Sequence, residues 1–137
     1  MTAVRFDHVG VSVADLDVQK KFYGDALGMT EVEEHLEMPD AGVRTVILRA
    51  PDGLKIELIE RNGSESQEFA DAFDGAGVQG YFHWALYVED LAESFAAILA
   101  AGATAVSPPA PAMRAGATFA YVKDPEGNLL ELIQPAR

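Results

Sequence analysis

Cysteine is absent from the 137-residue sequence. That excludes disulfides, thiolate zinc sites and a cysteine nucleophile. Positive charge is scarce: 10 Lys and Arg face 22 Asp and Glu, for a net charge of −12. Such a chain repels phosphates and is not expected to bind nucleic acid. The same balance disfavours a highly anionic substrate, unless arginines gather near the site. No apolar run approaches the length of a membrane span. The start, Met1-Thr2-Ala3-Val4-Arg5, lacks the apolar stretch of a secretion signal. The expectation is a cytoplasmic protein with neither a membrane nor a nucleic-acid partner. A hydrophobic share of 49% is ample for a packed interior.

The chain repeats itself. His8-Val9-Gly10-Val11-Ser12-Val13, followed by Asp15-Leu16, matches His83-Trp84-Ala85-Leu86-Tyr87-Val88, followed by Asp90-Leu91, at an offset of 75 residues. Pro51-Asp52-Gly53 leads into Ile56-Glu57-Leu58-Ile59, and Pro125-Glu126-Gly127 leads into Leu130-Glu131-Leu132-Ile133, at an offset of 74. Each copy therefore carries one histidine and one glutamate at matching places. The third histidine, His35, has no counterpart. It sits among Glu31, Glu33, Glu34 and Glu37 and reads as a surface residue.

Local patterns give each copy the order βαβββ. Residues 4–13 alternate in polarity with period two, which predicts a strand. Asp15 is placed to cap a helix whose inner face carries Val18, Phe22, Ala26 and Leu27, with Gly28 as its stop. Strands follow near 30–38, 43–50 and 54–60, separated by turns at 39–42 and 50–53. In the second copy, 81–88 is a strand. Asp90, with Glu93 three residues on, caps a helix that buries Leu91, Phe95, Ile98 and Leu99 and ends at Gly102. Strands near 103–107, 117–123 and 128–134 complete it, with a proline-rich connection over 107–111. Residues 61–80 form a polar linker with a short helix at 67–73.

The expected fold is α+β, a single domain of two modules, residues 1–60 and 81–137. Each module is too small to bury its sheet alone. Paired, they form an eight-stranded curled sheet around a cavity. Strand parity puts His8 on the face of Gly10 and Ser12, and His83 on the face of Tyr81, Ala85 and Tyr87. The neighbours of the glutamates, Ile56, Leu58, Leu130 and Leu132, point the other way and pack under the helices.

Two imidazoles and two carboxylates brought together by pseudo-twofold symmetry make a divalent-metal site. The ligands His8, Glu57, His83 and Glu131 leave a divalent ion with no net charge. Their mixed nitrogen and oxygen donors suit Zn²⁺, Ni²⁺, Co²⁺, Mn²⁺ or Fe²⁺ alike. A metal so held acts as a Lewis acid on a carbonyl or enolate oxygen. A glutamate that can leave it becomes a base.

The whole chain resembles the vicinal oxygen chelate superfamily, the group of glyoxalases, bleomycin-resistance proteins and extradiol dioxygenases. The resemblance rests on the first histidine segment, Phe22-Tyr23-x-x-x-Leu27-Gly28-Met29, His83-x-Ala85-Leu86-x-Val88-x-Asp90, and Asp124-Pro125-Glu126-Gly127-Asn128-x-Leu130-Glu131-Leu132. It implies paired βαβββ modules and a metal in a shared cavity. Within the superfamily, His8, Glu57, His83 and Glu131 are similar to the full ligand set of metal-dependent glyoxalase I. That implies a lyase or isomerase moving a proton beside a metal-held oxygen of a small substrate. Glu131 is then the base and Glu57 its symmetric counterpart. Alternatives of the same fold are an extradiol-type dioxygenase, an epimerase, or a non-catalytic protein that sequesters a drug or metabolite. The resemblance also implies a homodimer. It implies an arginine four residues after the first histidine, where Ser12 stands, and asparagine four after the first glutamate, where Arg61 stands. Arg114 falls near a loop that holds glutathione in such enzymes. Ser12, Tyr81, Tyr87 and Arg114 are the candidate substrate-pocket residues.

Overall fold

The computed structural model describes residues 2–137; Met1 lies outside the described residues. The fold is α+β, and it divides into two compact units, the first ending at Ser66 and the second comprising Gln67–Arg137. Each contains a βαβββ run with its own four-stranded mixed sheet, preceded in the second unit by a short helix. The linker is thus shared: residues 61–66 go with the first unit, 67–80 with the second.

In the first unit the elements are β1 (Val9–Val13), α1 (Leu16–Leu27), β2 (Glu31–Met38), β3 (Val43–Arg49) and β4 (Lys55–Arg61), in sheet order β1-β4-β3-β2. β1 and β4 run parallel, the remaining pairs antiparallel. Parallel first and last strands require a crossover, and α1 supplies part of it. The Asp15 carboxylate caps α1 by accepting the Val18 amide at 3.0 Å. The helix ends where Gly28 adopts φ 69°, a left-handed conformation that glycine takes without a steric penalty. Leu16, Gln19, Phe22 and Tyr23 face inward, over β3 and β4. Val18 does not: it is 47% exposed, because the buried stripe passes through Leu16 and Gln19 instead. Below the helix, Ile56 and Leu58 are completely buried, and Glu57 between them projects to the opposite face.

The second unit contains α2 (Ala72–Gly75), β5 (His83–Tyr87), α3 (Leu91–Ala100), β6 (Thr104–Pro111), β7 (Thr118–Lys123) and β8 (Leu129–Gln134), in sheet order β5-β8-β7-β6. Asp90 caps α3 through the Glu93 amide at 3.0 Å. Leu130 and Leu132 are fully buried on either side of Glu131. The repeat extends to a contact between helix and last strand. Glu60 accepts the Leu16 amide at 2.8 Å, and Gln134 accepts the Leu91 amide at the same distance. Each is the third residue after the glutamate of its copy, and each satisfies a helix-start donor that has no partner within the helix.

Several boundaries differ from the sequence expectation. The first strand begins at Val9 and not at Val4, and its ladder with β4 starts at the Val9–Ile56 pair. The proline-rich stretch is part of β6. β6 is the edge of its sheet, and register shifts around Ser107 and Ala110 accommodate Pro108 and Pro109, which cannot donate to a ladder. The linker helix spans Ala72–Gly75, started by the Asp71 carboxylate on the Asp74 amide at 2.8 Å. α3 stops at Ala100, with Ala101 still in right-handed conformation, and the chain turns at Gly102 with φ 121°. No helix is long and apolar enough to cross a membrane among the described residues.

Candidate metal-ligating site

Each unit brings its own histidine and glutamate together. In the first, Gly10 lies opposite Glu57 on the parallel β1–β4 pair, and His8 immediately precedes β1. His8 Nε2 lies 3.7 Å from Glu57 Oε1. In the second, Ala85 lies opposite Glu131, and His83 Nε2 is 3.4 Å from Glu131 Oε1. All four side chains are partly exposed, between 18% and 32%. The parallel pairing sets this geometry. It places the start of the first strand beside the middle of the last, with both side chains on one face.

The surroundings of the two pairs differ. His8 Nδ1 is 2.7 Å from Asp7 Oδ2. An ionised carboxylate can only accept, so Nδ1 is the donor to Asp7 and Nε2 is the nitrogen turned toward Glu57. That hydrogen bond, followed by the charge of Lys55, holds the Asp7 carboxyl below the usual carboxylate range. Lys55 lies 3.5 Å from Asp7 and 3.1 Å from Glu33. The Glu33 hydrogen bond, foremost, holds the Lys55 ammonium above its ordinary value.

At His83 the flanking groups are aromatic. The Phe82 ring stands edge-on to the imidazole at 4.5 Å and the Tyr121 ring at 5.4 Å. Gly75 leaves the space that Phe82 fills: a Cβ there would come within 2.5 Å of the ring. Tyr121 donates its hydroxyl to Glu131 Oε1 at 3.3 Å, and the hydroxyl oxygen itself is 3.5 Å from His83 Nε2. Burial, then the charge of Glu131, pushes the Tyr121 phenol up to about 12, so it remains a neutral donor at neutral pH. His83 Nδ1 is buried and has no hydrogen-bond partner among the described residues.

The donors fit a divalent cation. Two ligands with bonds of about 2.1 Å to one ion lie roughly 3.0–3.4 Å apart, for octahedral or tetrahedral angles. The observed His–Glu spacings of 3.4 and 3.7 Å are close to this and longer than good hydrogen bonds. The pairs belong to different units, and no three His, Cys, Asp or Glu side chains are grouped for a metal among the described residues.

The other sequence candidates are scattered. Tyr87 and Arg114 are exposed, and the guanidinium donates to the Tyr87 hydroxyl at 3.3 Å. Ser12 lies on β1 opposite Ile59, exposed, and Tyr81 is fully exposed just before β5. His35 is exposed, 3.7 Å from Glu37. Sequence reasoning missed Asp7 and Tyr121. Asp7 directly precedes a candidate ligand, which is a usable signal. Tyr121 carries no such signal, since only the β7–β8 register puts it opposite Glu131.

Residues 5–132 match the model of the Glyoxalase/Bleomycin resistance protein/Dioxygenase superfamily. The chain belongs to this superfamily. A putative lactoylglutathione lyase of Brassica oleracea var. gemmifera is 29% identical over 95% of the chain, which spans only 44% of that protein. A probable lactoylglutathione lyase of Vibrio cholerae is 31% identical over 98% of the chain and 93% of its own length. Glyoxalase I from Zea mays has the same fold, with a TM-score of 0.76 and 24% identity over 97% of the chain and 45% of that protein. The chain thus covers under half of the plant proteins and nearly all of the bacterial one.

Proposed function

We propose that the protein is a metal-dependent lyase or isomerase of the glyoxalase I type, with His8, Glu57, His83 and Glu131 as its metal ligands. The observation that carries this reading is the repeated pair: in both units a histidine Nε2 faces a glutamate Oε1 across the parallel first and last strands. Superfamily membership and relatives named lactoylglutathione lyase support it. The bound metal supplies Lewis-acid stabilisation of charge developing on a substrate oxygen.

The chain's own residues do the rest. Asp7 fixes the ring of His8 and its tautomer, which makes Nε2 the available lone pair. Glu131 takes the proton from the hydroxyl-bearing carbon beside the substrate carbonyl and returns it to the former carbonyl carbon, while the hydroxyl proton passes to the former carbonyl oxygen. The reaction is therefore an isomerisation with no net change in atoms. Glu57 is the symmetric counterpart. The substrate class is a small α-hydroxycarbonyl compound, such as the adduct of an α-ketoaldehyde with a thiol.

Elemental analysis of protein purified without chelators tests the metal. Exchange of the substrate α-hydrogen with deuterated solvent tests the chemistry. A metal-free protein that gains neither ion nor exchange activity on incubation with Zn²⁺, Ni²⁺, Co²⁺, Mn²⁺ or Fe²⁺ refutes this reading.

A further inference from the structure

The internal repeat provides a control for every residue near the two His–Glu pairs. Tyr121 lies opposite Glu131 in the β7–β8 ladder. The corresponding residue opposite Glu57 in the β3–β4 ladder is Ile47. The two carboxylates therefore sit in equivalent backbone positions with unlike neighbours. Glu131 Oε1 receives the Tyr121 hydroxyl at 3.3 Å and faces His83 Nε2 at 3.4 Å. Glu57 Oε1 faces His8 Nε2 at 3.7 Å, and the branched hydrocarbon of Ile47 offers it no donor. The Tyr121 ring is itself held edge-on between His83 and Phe119, at 5.4 and 6.0 Å. Its hydroxyl cannot wander far from the oxygen it serves.

We propose that Tyr121 is a positioning residue for Glu131: its hydroxyl restrains that carboxylate in the conformation facing His83, while Glu57 stays unrestrained on its tyrosine-equivalent side. The inference rests on the reading of Glu131 and His83 as metal ligands. A ligand already held in its binding conformation loses less freedom when it takes up an ion, and its carboxylate is aimed before substrate arrives.

The test is metal affinity, measured by competition with a chromophoric chelator for Ni²⁺ and Zn²⁺ on the full chain. Tyr121→Phe keeps the ring and removes only the hydroxyl. Affinity should fall about 10-fold or more, the scale of lost support to a ligand. In a Glu131→Ala background the same change should cost nothing further, because the restrained group is gone. His35→Ala is the neutral control. A purely structural tyrosine would lower thermal stability without this coupling. Tyr121→Ile copies what the first unit carries at the equivalent place and should give the same loss. It serves if the phenylalanine variant folds poorly. Unchanged affinity in both Tyr121 variants, with affinity weakened but still measurable in His83→Ala and Glu131→Ala, overturns the role of Tyr121 and leaves the metal reading standing. An equal drop with and without Glu131 also overturns it. Unaltered metal binding in His83→Ala and Glu131→Ala overturns the metal reading and this inference together.

Discussion

Glu60 accepts the backbone amide of Leu16 across 44 residues of sequence, at 2.8 Å. The carboxylate also takes the Arg44 guanidinium, with Nη2 at 3.0 Å and Nε at 3.1 Å. The Arg44 hydrogen bond first, and then the Leu16 amide, hold the Glu60 carboxyl below its ordinary value of 4.5. A carboxyl lowered by folding stabilises the protein fully above that ordinary value, and the contribution disappears as pH falls through the folded value. The second unit makes the same tie with Gln134, which does not titrate. Acid should therefore loosen the start of α1 before that of α3. Hydrogen exchange of the Leu16 and Leu91 amides between pH 3 and 6 checks this. In Glu60→Gln the difference should vanish, at a cost of about 1 kcal/mol or less for the weakened ion pair. Equal acid sensitivity at the two amides would contradict it.

Metal content should depend on His83 and not on His35. His83→Ala removes one Nε2 donor at a partly exposed position and leaves the buried Leu130 and Leu132 untouched. Most of the bound metal should be lost, with the circular dichroism spectrum preserved. His35→Ala alters an exposed strand residue and should change nothing. Plasma emission analysis of both variants decides the matter, and an equal loss from the two would sink the assignment.

The two glutamates should differ in catalysis. Glutamine retains an oxygen donor but cannot take up a proton as a carboxylate does. Glu131→Gln should keep part of its metal and lose about 10²–10⁴-fold in α-proton abstraction, the usual contribution of a positioned base. Glu57→Gln should cost less. Full exchange activity in metal-loaded Glu131→Gln would remove Glu131 from this role.

The methylglyoxal–glutathione adduct should be a poor substrate. Ser12 stands where the resemblance implies an arginine for the glutathione carboxylate, and the chain as a whole carries a charge of −12. Steady-state kinetics with glutathione and with uncharged thiols compare the carriers directly. A kcat/KM for glutathione equal to the best thiol tested would show that another cation does the work.

The protein should be a homodimer. β2 is an edge strand exposed along its whole length, with Val32, Leu36 and Met38 each 45–49% exposed. Exposed apolar edges need covering. Sedimentation velocity should give the mass of two chains at micromolar concentration, and a single-chain mass throughout that range would count against it.

Features that depend on near neighbours were legible in the sequence. Alternation of apolar residues located Ile56, Leu58, Leu130 and Leu132 in the core, since side chains on a strand point to opposite faces in turn. Asp15, Asp90 and Gly28 marked helix ends because capping is a matter of one to three residues. The repeat singled out His8, Glu57, His83 and Glu131, and strand parity gave their faces. What depended on a partner distant in sequence was not legible. The start of β1 at Val9 follows its pairing with β4, nearly fifty residues on, and β6 runs through its prolines because it became an edge. Glu60 and Gln134 look like ordinary polar strand residues until α1 and α3 pack against them. Tyr121 looks like one more aromatic until the β7–β8 register sets its hydroxyl on Glu131. Local sequence determines which way a side chain points; only tertiary packing determines what it meets there, because that partner arrives from tens of residues away.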